Sequence, residues 1–191
     1  MPERWEGDGV VVRRWRVEDA EAQERIVGES VEHLRPWMPW AAFEPSPLEE
    51  RRARIAGWEQ EWAAGGDLYA AVLEDGVLVG GGGLHHRLGP GGLEIGYWVH
   101  PAHTRRGLAT VAARLLTELA FSVPSIDRVE IHHDRANAAS AGIPRRLGYE
   151  RLGEVVADRP QAPADTGVDV LWRVTREQWA ALRPPGRASA G

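Results

Sequence analysis

The 191-residue sequence has no cysteine and no lysine, so its basic side chains other than histidine are all arginine. Without cysteine the chain cannot form disulfides, thiolate metal sites or a cysteine nucleophile, and thiol chemistry needs a thiol carried by another molecule. The sequence also has no apolar run near the ~18 residues of a membrane helix, and no charged-then-apolar leader. We therefore expect no membrane span and no secretory signal, and we predict a cytoplasmic protein.

The formal net charge is -5, and no basic run stands out. A cationic face for nucleic acid is therefore not expected. The histidines include the pairs His85-His86 and His132-His133. Neighbouring side chains on a strand point to opposite faces, so each pair offers one metal ligand at most. We predict neither a nucleic-acid partner nor a metal site.

The length favours one domain with a core of its own, which we place at residues 1–182. The C-terminal stretch 183–191 has little apolar content and is predicted to be a disordered tail.

Apolar periodicity predicts an α/β order of β-α-α-β-β-β-α-β-α-β-β with a mixed sheet. Asp75-Gly76 is a strong hairpin signal. Ser46 is predicted to cap the second helix, with Glu49 completing a capping box. The predicted strands are 10–12, 68–73, 77–83, 93–99, 128–132, 149–156 and 168–174, and the predicted helices are 18–27, 47–64, 108–119 and one that follows residue 137.

The segment 104–109, Thr-Arg-Arg-Gly-Leu-Ala, lies between an apolar strand and a strongly amphipathic helix. The first N–H groups of a helix lack intrahelical partners, and the helix dipole places partial positive charge there. Gly107 allows an anion to approach the backbone closely, and Arg105 and Arg106 add charge. The segment predicts a phosphate cradle, and an ordinary strand-to-helix turn with solvated arginines is the alternative.

About thirty residues downstream the chain reads Asn137-Ala-Ala-Ser140 and then Leu147-Gly148-Tyr149. The two segments, in this order and spacing, resemble the GNAT N-acetyltransferase superfamily, and its RimJ/RimL-like branch of ribosomal-protein N-terminal acetyltransferases in particular. That family's loop reads Q/R-x-x-G-x-G/A, followed by N-x-x-S and L-G-F/Y. The resemblance also includes LRPWMPW at 34–40 and EIGYWV at 94–99, and it covers roughly residues 9–178.

Two positions depart from the family pattern. Thr104 stands where the loop begins with Gln or Arg, and we expect a small effect because the loop binds phosphates mainly through backbone N–H groups. Pro144 lies inside the second helix pattern, where it removes a hydrogen bond and is predicted to kink or split the helix. The placement of Arg145 and Arg146 depends on that kink.

The resemblance implies a single-domain fold with a mixed, mostly antiparallel sheet flanked by helices. It implies a splayed parallel strand pair, here 93–99 and 128–132, with the pantetheine arm of acetyl-CoA in the gap. The implied activity is transfer of an acetyl group from acetyl-CoA to a primary amine, a protein N-terminus or a small molecule, by direct attack in a ternary complex. A non-catalytic module that binds CoA or a small ligand is the alternative, and the resemblance is compatible with a homodimer.

The resemblance also assigns the donor site. The pyrophosphate is expected on the N–H groups of 106–110, and a main-chain N–H near Val99 is the expected oxyanion donor. Asn137 either binds the pantetheine amide or caps the second helix. The predicted cofactor-binding residues are Trp98, Val99, Arg105, Arg106, Gly107, Leu108, Ala109, Thr110, Asn137 and Ser140.

Catalytic roles are predicted for two side chains. Ser140 is the candidate proton donor to the departing thiolate, and its alternative role is to cap or pack at the helix start. Glu94 is the candidate base, with Asp158 or water as alternatives and a solvated surface Glu as the structural alternative. Trp37 and Trp40 are predicted to line the acceptor pocket.

Overall fold

A computed structural model describes residues 1–182, so the predicted tail at 183–191 lies outside the described part. Eight strands form one sheet in the order β1-β2-β3-β4-β5-β6-β8-β7. The strands are β1 Arg4–Gly7, β2 Val10–Arg14, β3 Leu68–Glu74, β4 Val77–His85, β5 Gly92–Val99, β6 Arg128–Asp134, β7 Glu150–Val156 and β8 Val168–Thr175. The helices are α1 Ala20–Leu34, α2 Leu48–Ala63, α3 Leu108–Phe121, α4 Ala138–Leu147 and α5 Arg176–Leu182.

The sheet has a different partner on each face because successive side chains of a strand alternate. On one side, the front face, Ala71 and Tyr69 of β3 pack with Ile55 and Trp58 of α2. On the back face, side chains such as Ile95 join the larger apolar core together with α3. The predicted α/β class with a mixed, mostly antiparallel sheet is confirmed.

One strand pair in the described sheet is parallel. β5 pairs with β6 only at 92–94 against 128–130, after which the two strands separate. Beyond Glu94, β5 continues beside β4, while β6 continues beside β8. The splayed pair predicted from the family resemblance is therefore present, and it opens a gap toward the carboxyl end of β5.

The β3–β4 hairpin turns at Asp75 and Gly76, both at positive φ, as the sequence predicted. Its register shifts once. Leu73 pairs with Leu78 but Val72 pairs with Gly80, so Val79 is an extra residue in β4. This bulge moves every later residue of β4 by one position relative to β3.

Several sequence expectations need correction. β1 and α5 were not predicted, and α1 continues past residue 27 because Ser30 and Leu34 extend its buried stripe. Ser46 does not cap α2, whose N-cap is Pro47 without a side-chain bond. A buried ion pair, Arg51 to Glu44 at 2.6 Å, recruits the Ser46 hydroxyl instead.

Pro144 does not split α4, which continues from Ala138 to Leu147. Proline lacks the N–H that would bond the carbonyl four residues earlier, which belongs to Ser140. The Tyr97 hydroxyl of β5 donates to that carbonyl at 3.4 Å. The freed acceptor is thus satisfied from the neighbouring strand. No helix within residues 1–182 is long and apolar enough to cross a membrane.

Candidate active site

The corner between β5 and α3 is built from main chain. β5 ends at Val99, and the chain reaches Gly107, the N-cap of α3, which has φ 83° and no side-chain cap. The N–H groups of Gly107, Leu108 and Ala109 find no hydrogen-bond partner within residues 1–182. A Cβ built on Gly107 meets nothing within 4 Å, so the space in front of the corner is open. Adjacent free N–H groups at an open helix N-terminus fit a diphosphate.

The Thr110 N–H is already used, because it donates to the Gly107 carbonyl at 2.9 Å. The run of free donors at this corner therefore ends at Ala109, one residue earlier than the expected 106–110 segment.

The arginines around the corner differ in their availability. Arg106 donates to Glu74 at 2.9 Å, so much of its charge is neutralised. Arg105 is exposed, at φ 60°, in the loop itself. Arg146 of α4 bonds the Thr110 hydroxyl at 3.1 Å and so brings a third guanidinium to the first turn of α3. Sequence reasoning had left the position of Arg146 open.

The gap between β5 and β6 is bordered by the N-terminus of α4. The Asn137 side-chain oxygen accepts the Ser140 N–H at 3.1 Å, so this side chain caps the helix. The Ser140 hydroxyl is half-buried and has no hydrogen-bond partner within residues 1–182. It is therefore free to donate to a group that enters the gap.

Tyr97 joins the two walls of the gap, and sequence reasoning did not single it out. Its ring packs against the back-face core, and its hydroxyl bonds the Ser140 carbonyl. Burial raises the pKa of Tyr97 to about 12, so the hydroxyl keeps its proton and remains a donor at neutral pH. The sequence did contain a signal for such a donor. A proline inside a helix, here Pro144, leaves the carbonyl four residues earlier in need of a donor from outside the helix.

On the front face, beside the point where β5 and β6 separate, the sheet carries charged side chains. Glu94 accepts from Arg87 at 3.1 Å, and one of its oxygens lies 3.7 Å from His132 Nδ1. His132 Nε2 is 2.6 Å from Glu130, which also accepts from Arg173 at 2.7 Å. Burial acts to raise the pKa of Glu130, but the bonds from His132 and Arg173 outweigh it, and the pKa lies below its ordinary value. Glu94 is thus part of a connected polar network that runs from Arg87 to Arg173.

Of the predicted site tryptophans, Trp40 and Trp98 form a ring contact in the structure. Trp40 and Trp98 lie with ring centroids 6.2 Å apart and planes tilted by 53°. Trp37 is half-buried just beyond the end of α1, where its main-chain N–H donates to the Leu34 carbonyl. Asp158, the alternative base, is exposed in the β7–β8 loop. The described residues contain no group of three or more His, Asp or Glu side chains arranged to hold a metal ion.

Residues 10–150 match the family model described as the acetyltransferase (GNAT) domain. The chain belongs to this family. The GNAT chain is 28% identical over 146 residues to "Putative ribosomal N-acetyltransferase YdaF" of Bacillus subtilis strain 168, covering 76% of this chain and 80% of that protein. Membership of this family, together with this relative, identifies the protein as an acyl-CoA-dependent acetyltransferase.

Solved structures share the GNAT fold over nearly the whole length. One, a "Probable acetyltransferase", has a TM-score of 0.80 at 26% identity and covers 92% of this chain and 98% of its own. Another, RimL, the ribosomal L7/L12 alpha-N-protein acetyltransferase in complex with coenzyme A, has a TM-score of 0.82 at 16% identity, covering 92% and 99%. At that identity the second likeness concerns the fold.

Proposed function

We propose that this acetyltransferase moves the acetyl group of acetyl-CoA to a primary amine by direct attack, with both substrates bound together. The observation that carries the proposal is the open corner of free N–H groups at Gly107, Leu108 and Ala109, next to the gap between β5 and β6. The corner can hold a diphosphate, and the gap can admit an extended arm with free backbone edges on both sides. When bound there, acetyl-CoA supplies the activated thioester.

On the donor side, Ser140 is proposed to hydrogen-bond the leaving sulfur. Its hydroxyl is free within the described residues, and Asn137 and Tyr97 fix the backbone that carries it. A thiol has an ordinary pKa near 8.5, so a hydroxyl that stabilises the thiolate by a hydrogen bond is sufficient. A main-chain N–H near Val99 is proposed to bond the carbonyl oxygen as its charge grows.

On the acceptor side, Glu94 is proposed to activate the amine, directly or through an intervening group. Its side chain is 17% exposed on the front face, beside the point where β5 and β6 separate. Trp40 and Trp98 form an aromatic wall beyond it, and Trp37 is proposed to line the same pocket. A carboxylate beside aromatic rings suits a cationic amine attached to a partly apolar group.

A protein N-terminus is the acceptor we favour. The curated relative is named as a ribosomal N-acetyltransferase, which supports this class. An α-amino group also has a pKa of about 7.7–8.0 against about 10.4 for a lysine amine, so a larger share of it is neutral near pH 7.

A screen of peptides and small amines with acetyl-CoA, read by mass spectrometry and by release of the CoA thiol, tests the proposal. We expect a mass gain of one acetyl group on a peptide N-terminus, with stoichiometric thiol. Tight CoA binding by calorimetry without thiol release across the panel would instead favour the non-catalytic binding module.

Three further expectations from the sequence are proposed with this function: a cytoplasmic location, no nucleic-acid partner, and a homodimer. Light scattering on the purified protein gives the molar mass directly. A value near twice the 21.1 kDa chain is expected for the dimer.

A further inference from the structure

His85, the last residue of β4, lies on the front face directly opposite Glu94 of β5. Its side chain is 10% exposed and its ring meets Tyr69 edge-on, with centroids 5.2 Å apart. Packing of this kind fixes the orientation of the imidazole ring. The proposed function assigns no role to this histidine.

Asp67, just before β3, holds one nitrogen of that ring. Its Oδ2 lies 2.8 Å from His85 Nδ1, and its Oδ1 accepts the His86 N–H at 2.8 Å. Burial acts to raise the pKa of Asp67, but these hydrogen bonds outweigh it, and the pKa lies below its ordinary value. Asp67 is therefore an ionised acceptor near neutral pH, and His85 must place its proton on Nδ1.

In the neutral ring of that tautomer, the lone pair is on the other nitrogen, Nε2. It has no hydrogen-bond partner within residues 1–182, and unlike the Trp62 indole nitrogen it is not sealed from solvent. It lies 3.6 Å from the place where a Cβ of Gly96 would stand, and 2.9 Å from that of Gly83. Larger residues at these positions would fill the space in front of Nε2.

Gly96 also lies close to the point at which β5 and β6 separate. It follows Glu94, the last β5 residue paired with β6, by two positions on the same face. The space beside Nε2 is therefore bordered by Glu94 on one side and by Trp98, in contact with Trp40, on the other. It opens where the two parallel strands part.

We propose that His85 is a second catalytic residue of the acceptor site, with Asp67 as its positioning residue. His85 Nε2 accepts the proton that the neutral amine loses as it attacks, while the Glu94 carboxylate across the sheet accepts a hydrogen bond from the amine. This inference rests on the proposed transfer to an amine. It makes the acceptor side a pair of groups with separate tasks.

The charged and titratable groups around His85 come from several elements. Asp67 precedes β3 and Tyr69 belongs to it, Glu94 belongs to β5, and His86 and Arg87 follow His85 itself. Burial raises the pKa of Tyr69, so that group stays neutral, and Glu61 of α2 acts on the same Tyr69. The charged groups in this region are therefore the carboxylates of Asp67, Glu94 and Glu61 and the guanidinium of Arg87.

The step is balanced without any further reactant. The amine reacts in its neutral form: the nitrogen–carbon bond forms as the carbon–sulfur bond breaks, and the one proton that the nitrogen then loses passes to His85 Nε2. CoA leaves as the thiolate, which bonds the Ser140 hydroxyl and takes a proton from solvent. His85 then returns its proton to solvent, and the free-base imidazole is restored.

The tautomer of His85 tests the geometry independently of turnover. Long-range nitrogen–proton correlation spectra of uniformly labelled protein at pH 8, with His85→Gln used to assign the signal, report which nitrogen carries the proton. We expect the Nδ1–H form, bonded to Asp67, and we expect Asp67→Asn to abolish that preference. An Nε2–H tautomer in the unaltered chain would overturn the proposal.

Kinetics with the best peptide substrate test the role. His85→Gln is expected to lower kcat by about 100-fold, the lower end of general-base effects, and to remove the acid limb of the pH–rate profile, with acetyl-CoA affinity unchanged. The matched control is His86→Gln, which removes the other imidazole on the same Asp67, 3.3 Å from its Oδ1, and near-normal kcat is expected for it. Asp67→Asn should give a smaller fall in kcat than His85→Gln, at unchanged acetyl-CoA affinity.

Chemical rescue separates a catalytic loss from a structural one. His85→Ala should regain kcat on addition of imidazole, and the gain should follow the fraction of free-base imidazole as the pH is varied. If the wild type is active and His85→Gln changes kcat by less than twofold, this proposal is overturned and the proposed function stands. A wild type that releases no thiol with any amine would overturn both.

Discussion

The proposed donor corner follows the end of β5, the proposed acceptor face lies on the front of the same strand, and the two are built differently. The corner is made of main-chain N–H groups from adjacent residues, Gly107 to Ala109. The acceptor face is made of side chains from separate elements, including Asp67, His85, Glu94 and Trp40. One site is local in sequence and the other exists only through tertiary contacts.

The difference bears on how such an enzyme can vary. A backbone cradle tolerates changes in neighbouring side chains, because its donors belong to every residue except proline. A side-chain face can change its substrate by one substitution on any of several elements. We therefore propose that the corner sets the donor and that the front face sets the acceptor.

Filling the corner should have the largest effect. Gly107→Glu places a carboxylate where the diphosphate is expected, and we predict a loss of acetyl-CoA affinity of at least about 100-fold, which is ~2.7 kcal/mol. Gly65→Glu is the matched control, because Gly65 has the same φ of 83° and the same empty surroundings. Calorimetric titration measures both. Unchanged affinity in Gly107→Glu would remove the corner from the donor site.

Neutralising the acceptor carboxylate should come next. Glu94→Gln is expected to lower kcat/KM for the amine by about 100-fold and to shift the pH–rate profile, while acetyl-CoA binds as before. Arg87→Gln, which removes the exposed partner of Glu94, is the control and should change the rate little. Overlapping pH profiles for Glu94→Gln and the wild type would exclude Glu94 from amine activation.

Loss of the Ser140 hydroxyl should be milder. Ser140→Ala is predicted to lower kcat about tenfold, below the range for a well-matched general acid, with little change in acetyl-CoA affinity. The cysteine-free chain also allows a proximity test. Ser140→Cys should form a mixed disulfide with CoA under mild oxidation, and its exposed neighbour, in Ala139→Cys, should not. Intact-protein mass spectrometry distinguishes them, and equal labelling would contradict the placement of Ser140.

The bond between the two walls should have the smallest effect. Tyr97→Phe leaves the Ser140 carbonyl without its donor, and we expect a loss of ~1 kcal/mol in the free energy of unfolding. In a Pro144→Ala background, the new N–H of residue 144 can bond that carbonyl, so the same Tyr97 substitution should cost less. Urea denaturation of the four proteins of this double-mutant cycle measures the coupling. Additive effects would show that the two residues act independently.

The elements that the sequence predicted well are those with local causes. The hairpin at Asp75-Gly76 follows from turn chemistry, and α3 follows from its apolar stripe and the glycine before it. Ser46 was misassigned because a buried ion pair between Arg51 and Glu44, seven residues apart, competes for its hydroxyl. The split expected at Pro144 is absent because the Ser140 carbonyl finds a compensating donor in Tyr97, 43 residues away in the chain.

The amino-acid sequence by itself predicted the α/β class, the family and a phosphate-binding corner, because each is visible as a local pattern of residues. The pairing of Asp67 with His85 was decided by the tertiary structure. Continued from its turn without a bulge, the β3–β4 hairpin would place Leu84 opposite Asp67, whereas the bulge at Val79 places His85 there. A shift of one residue exchanges the faces of a strand, so a single extra residue determines which side chain faces the site.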